Sequence, residues 1–101
     1  MLYQEQIEIT NGIAELAPGQ SCPLGATLKH GGANFSIFSR SATSIELLFF
    51  DRVDDSRPSR IIPIDPSVNR TYHYWHVFVP GVQAGQIYAF RPRVHWSRRA
   101  V

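Results

Sequence analysis

Ser44-Ile45-Glu46-Leu47-Leu48-Phe49-Phe50 is the stretch that decides the fold. Ile45, Leu47 and Phe49 fall on one face of an extended chain, and Glu46, Leu48 and Phe50 on the other. That is the period of a strand, and apolar residues on both faces near its end predict that the end is covered. The same alternation recurs on either side. Asn34 to Ser39 reads as a strand with Phe35 and Ile37 on one face. Tyr72 to Val79 sets His73, Trp75, Val77 and Val79 against Tyr72, Tyr74, His76 and Phe78, and Pro80-Gly81 ends it. Arg60 to Ile64 is a shorter strand whose Pro63 places it at a sheet edge. Ile87 to Phe90 is the last clear strand, and Ala26 to Leu28 a weaker first one. Turn chemistry separates them: Gly31-Gly32, the polar Arg52–Arg60 loop with Pro58, and Asp65-Pro66-Ser67-Val68-Asn69. Strands at a spacing of about ten residues, with no helix of three turns, predict an all-β, immunoglobulin-like antiparallel β-sandwich.

The chain has 101 residues, 44% hydrophobic and 18% charged, which is the size and composition of one globular domain. It divides into a leading segment over 1–22, the sandwich over 23–94 and a basic tail over 95–101. No run of 18 apolar residues exists, so no membrane helix is expected. Met1 to Glu5 lacks a basic n-region, which argues against a secretory signal. The single cysteine, Cys22, excludes an internal disulfide and fits a reducing, cytoplasmic setting. There the glycosylation patterns Asn34-Phe35-Ser36 and Asn69-Arg70-Thr71 carry no meaning. The net charge of +2 is uneven: the last acid is Asp65, and Arg70, Arg91, Arg93, Arg98 and Arg99 follow. A solvated basic end explains this better than nucleic-acid binding, because the central segments hold no basic stripe and Lys29 is the only lysine.

Catalytic constellations are poor. No Gly-x-Ser-x-Gly elbow and no glycine-rich phosphate loop occurs. His73 and His76 stand three apart on an extended chain and point to opposite faces, so neither a metal nor a cofactor is expected. Asp54 and Asp55 sit in a polar loop, and nothing places a carboxylate pair across one glycosidic bond. What remains is aromatic. The chain has twelve Phe, Tyr and Trp residues. Trp75, in phase with Val77 and Val79, reads as core, as do Phe35, Phe49 and Tyr88. Trp96, beside Arg93, His95 and Arg98, lies outside any apolar phase and reads as an exposed platform of the kind that stacks on sugar rings. Tyr72, Tyr74 and His76 form a second such set on one strand face.

Four blocks of sequence carry a family resemblance. They are Pro23-Leu24-Gly25-Ala26-Thr27 with Gly31-Gly32-Ala33-Asn34-Phe35-Ser36-Ile37-Phe38-Ser39; Ser44 to Asp51; Tyr74-Trp75-His76-Val77-Phe78-Val79-Pro80-Gly81-Val82; and Gly85-Gln86-Ile87-Tyr88-Ala89-Phe90-Arg91. Over about residues 19 to 91 the chain resembles the N-terminal domain of isoamylase-type glycogen debranching enzymes, carbohydrate-binding module family 48. The resemblance implies an early-set immunoglobulin-like sandwich preceding an α-amylase-type barrel that hydrolyses α-1,6 branch linkages in glycogen or amylopectin. The barrel's catalytic aspartate and glutamate lie downstream, so none carries over to this chain, which looks like a part of such a glycoside hydrolase. The implied partners are an α-glucan polysaccharide and that barrel. Where the debranching enzymes usually continue with a valine and a His-Gly-Pro-type stretch, this chain reads Pro92-Arg93-Val94-His95-Trp96. Trp96 falls near an aromatic platform of the related glycogen-binding modules of kinase β-subunits; a second platform would fall near Phe50 to Asp55, where no tryptophan stands. The first reading is therefore an α-glucan-associated module using Trp96, Arg93 and His95, with Tyr72, Tyr74 and His76 as a weaker set. The alternative is a docking domain that buries Leu48, Phe50 and the Tyr72/Tyr74 face against a partner and touches no sugar.

Overall fold

The alternation centred on Ile45, Leu47 and Phe49 is realised as the middle strand of a sheet, with its inward face on the core. The computed structural model describes residues 16–94, and its seven strands are β1 (Gly25–Lys29), β2 (Gly32–Phe38), β3 (Ala42–Phe50), β4 (Arg60–Ile64), β5 (Arg70–Thr71), β6 (Tyr74–Pro80) and β7 (Ile87–Val94). Two antiparallel sheets result, a four-stranded sheet ordered β1-β2-β6-β5 and a three-stranded sheet ordered β4-β3-β7. No helix occurs among the described residues. The architecture is the expected all-β, immunoglobulin-like sandwich.

The core lies between the inner faces. Ile45, Leu47 and Phe49 from β3 and Ile62 and Ile64 from β4 meet Phe35 from β2 and Trp75, Val77 and Val79 from β6, all of them buried. Phe35 links the sheets, its ring centroid 5.5 Å from that of Phe49 and 5.1 Å, edge-on, from that of Tyr88 on β7. Trp75 is fully buried, as its phase predicted, and its Nε1–H donates to the Ser39 carbonyl at 3.4 Å. Gly32 has no alternative residue at its position: a Cβ there would run into the Val79 carbonyl of β6 and the Phe78 ring. Leu48, on the outer face of the three-stranded sheet, is buried between its cross-strand partners Ile61 and Ala89.

β1, β2 and β3 begin one or two residues earlier than the sequence reading, and the larger differences fall in β5, β6 and β7. β7 continues past Phe90 to Val94, and it can run through Pro92 because it is an edge strand. β6 begins at Tyr74, not Tyr72, because residues 72 and 73 form the turn that joins it to the short β5. β5, only two residues long, carries too little alternation to read from sequence.

The outer face of the four-stranded sheet differs more deeply. Period two puts Asn34, Ser36 and His76 outward, yet they are only 1%, 1% and 4% exposed. Residues 17–21 of the leading segment lie across them as a strap. Ala17 exchanges both backbone hydrogen bonds with Phe78 at 3.0 and 2.9 Å. The Asn34 amide pairs with the backbone of Gln20, accepting from its N–H at 2.7 Å and donating to its carbonyl at 2.9 Å. Ser36 Oγ donates to the Ser21 carbonyl at 2.6 Å. Gly19 lets the strap approach this closely: its φ is 78°, and a Cβ would lie 2.5 Å from Asn34 Oδ1. Buried polar groups are tolerated only when paired, and here strap and sheet pair each other.

Removing one side of that seam leaves the other buried and unpaired. Asn34→Ala is expected to destabilise the domain by about 1–3 kcal/mol in urea unfolding and to accelerate hydrogen exchange at the Gln20 amide. The turn before β5 supplies a pH test. The Ser67 hydroxyl, at 2.7 Å, and the Ser67 N–H, at 2.9 Å, both donate to Asp65 Oδ1 and hold its carboxyl below the ordinary carboxylate range. A folded-state value below the unfolded one stabilises above the unfolded value, and the contribution is lost as pH falls through the folded one. Asp65→Asn should therefore flatten the acid side of the stability–pH curve; an acid limb identical to that of the wild type would refute this role.

Candidate functional site

Four aromatic rings outside the core, those of Phe38, Tyr72, His73 and Tyr74, gather at one end of the four-stranded sheet. Phe38, last residue of β2, pairs in register with Tyr74, first residue of β6, and both project from the outer face. Their rings meet edge-on with centroids 5.1 Å apart, and Phe38 also meets the His73 ring edge-on at 5.8 Å. Tyr72 lies over His73 at 3.8 Å with 38° between the planes. The four rings thus form one continuous patch.

Residues 72 and 73 are the two-residue loop of a tight hairpin, since Thr71 and Tyr74 are paired on either side. Tyr72 has φ 59°, a conformation that such loops usually give to glycine or asparagine and that costs an ordinary side chain about 1–2 kcal/mol. Its ring is 73% exposed, so burial does not offset that cost. Arg70 braces the loop. Its Nε–H donates to the Tyr72 carbonyl at 2.7 Å, Nη2 lies 3.4 Å from His73 Nδ1, and the guanidinium sits 4.9 Å from the centroid of the buried Trp75 ring. The Ser39 N–H donates to the His73 carbonyl at 2.8 Å and closes the other side.

Of the residues singled out from sequence, Tyr72 and Tyr74 are brought together here, although Tyr72 is in the loop and not on the strand face. His76 is separated from them. It shares the outward phase of Tyr74 but lies beneath the strap, where Nδ1 is 2.6 Å from the Pro18 carbonyl and Nε2 2.8 Å from Thr71 Oγ1. A carbonyl only accepts, so Nδ1 carries a proton, while Nε2 pairs with the threonine hydroxyl, which can serve either role. Both nitrogens of His76 are therefore committed to holding the chain together. Arg93 is at the far end of β7, exposed on the outer face of the three-stranded sheet. Its Nη2 is 3.8 Å from Glu46 Oε1, while Arg91 takes the closer contact with that oxygen at 2.7 Å. His95 and Trp96 lie outside the described residues. Asp55 is used locally, its Oδ2 accepting from the Arg52 N–H at 3.0 Å to close a turn. Among the described residues, no group of three or more His, Cys, Asp or Glu is placed to hold a metal.

Sequence reasoning missed Phe38, His73 and Arg70 as members of the patch. Phe38 had a signal: it is out of phase with Phe35 and Ile37 and so belongs to the outer face. The roles of Arg70 and His73 depend on the hairpin, which the sequence reading ran together with β6.

The comparisons with known proteins converge. The family model described as carbohydrate-binding module 48, isoamylase N-terminal domain, matches residues 23–101. The chloroplastic isoamylase SU1 of Zea mays is 39% identical over 83 residues, covering 79% of this chain and 10% of that protein. The glycogen debranching enzyme of Serratia proteamaculans is 39% identical over 79 residues, covering 78% of this chain and 11% of that one. The chain thus spans about a tenth of the length of these curated relatives. Among solved structures, a pullulanase from Paenibacillus barengoltzii, crystallised with maltohexaose and α-cyclodextrin, superposes with a TM-score of 0.63 at 19% identity, over 71% of this chain and 10% of its own. At that identity the likeness speaks for the fold alone. With the sandwich in place and the family match running from β1 through the last described strand, the chain belongs to carbohydrate-binding module family 48, as an isoamylase-type N-terminal domain.

Proposed function

We propose that this chain is a non-catalytic α-glucan-binding module, serving glycogen or a related polysaccharide, of a debranching-type glycoside hydrolase. The observation that carries the reading is the family match over residues 23–101, a family described by carbohydrate binding. It is supported by relatives named as isoamylases and glycogen debranching enzymes. The inner faces of both sheets are filled by the core, so ligand contact falls to the surface. One contact set is Trp96 as the stacking platform with Arg93 and His95 as hydroxyl partners. Arg93 suits this role because Glu46 is held more closely by Arg91. A reducing setting follows from the lone Cys22 and is cytoplasmic in a bacterial host, whereas the plant relatives are named chloroplastic.

A second reading has its own support. Ile61, 46% exposed, flanks Leu48 on the outer face of the three-stranded sheet, and this apolar strip suits docking against a catalytic barrel. Native gels with and without glycogen, run at two salt concentrations, separate the two. The module reading expects retardation by glycogen that survives salt and weakens in Trp96→Ala. A chain that migrates alike in both gels contradicts it and leaves docking as the role.

A further inference from the structure

We propose that the Phe38–Tyr72–His73–Tyr74 patch is an α-glucan-binding surface of the described domain. The proposal rests on the module reading above. It starts from what the strap leaves bare. Along the outer face of the four-stranded sheet, Asn34 and Phe78, then Ser36 and His76, lie beneath or beside residues 17–21. The next pair in register, Phe38 and Tyr74, lies beyond the last strap contact, and Phe38 is 43% exposed. The hairpin loop then adds Tyr72 at the sheet's margin.

Tyr72 is the informative residue. A loop needed only to reverse the chain would hold glycine at φ 59°, and Tyr72 stays mostly exposed there, its ring contact being with His73. Strain of this kind persists where the surroundings impose it, and it clusters at functional positions. Here Arg70 fixes the Tyr72 carbonyl and contacts His73, so the strained ring is presented in a defined place.

The chemistry of the patch selects its occupant. The ring faces offer apolar area to the C–H faces of pyranose rings. The Arg70 guanidinium, the His73 imidazole and the phenol hydroxyls of Tyr72 and Tyr74 border that area with hydrogen-bonding groups suited to sugar hydroxyls. A nucleic-acid strand would call for a run of cations, and Arg70 is the one that contacts these rings among the described residues. A stable protein partner would call for an interface of roughly 800 Å² per side, more than four rings at a sheet corner provide.

The test uses Tyr72→Gly, which removes the ring and relieves the backbone strain together, with Phe38→Ala as a second variant. Affinity electrophoresis in glycogen gels and thermal unfolding are read side by side. The expected result for Tyr72→Gly is a dissociation constant for glycogen raised about fivefold or more, with an unfolding midpoint equal to or above that of the wild type. Phe38→Ala should weaken retention likewise, and either change combined with Trp96→Ala should abolish it. Wild-type retention that is unaltered in both single variants overturns this site and leaves the module reading standing. A wild-type chain that glycogen does not retain overturns the module reading, and this site with it. Loss of self-association in sedimentation, with glycogen retention unchanged, assigns the rings to a second copy of the chain and also overturns the proposal.

Discussion

Three polar side chains buried on the outside of a sheet set the terms for this domain. Asn34, Ser36 and His76 point away from the core, yet they are as inaccessible as the residues that point into it. Each must find partners, and the backbone of residues 17–21 supplies most of them. From Gly32 to Ser36, β2 is consequently buried on both faces, by hydrocarbon within and by a hydrogen-bonded strap without. This fixes the register of the strap, since sliding it by one residue would break the Gln20, Ser21 and Pro18 pairings together. It also ties the hairpin to the strap, because His76 joins the Pro18 carbonyl to Thr71 on β5.

The strap also decides where the surface remains available. It stops short of Phe38 and Tyr74, at the end of the sandwich where β2 turns into β3 and where Val94, at the end of β7, pairs with Ala42. A single face therefore carries two different surfaces. Its middle is given to a polar seam that binds the chain to itself, and its end to exposed aromatic rings. The Tyr72 loop works against stability, with a bulky residue at a positive φ and an exposed ring, and Arg70 on the buried Trp75 anchors it.

Most of the fold was legible because the inner faces obey a simple period. Ile45, Leu47 and Phe49, and Trp75, Val77 and Val79, are apolar at every second position, and burial follows that pattern. The family resemblance was legible in the same blocks. The strap was not, because nothing in Ala17-Pro18-Gly19-Gln20-Ser21 has a period, and its partners look like ordinary outward polar residues. His76 is the clearest case: its alternation with Trp75 is right, but what covers it comes from almost sixty residues earlier in the chain. The ring patch was half legible. Tyr72 and Tyr74 stood out by composition, whereas their union with Phe38 and His73 is created by strand pairing and a two-residue loop.

The central claim is that the rings beyond the strap meet α-glucan while the seam beneath it does not. The most direct measurement is a titration of the isotope-labelled chain with a linear α-1,4-linked oligosaccharide, followed by amide and ring chemical shifts. The account predicts that shifts move at Phe38, Tyr72, His73 and Tyr74, while those of Asn34, Ser36 and Trp75 stay in place. Saturable binding that leaves all four of the former untouched would contradict it.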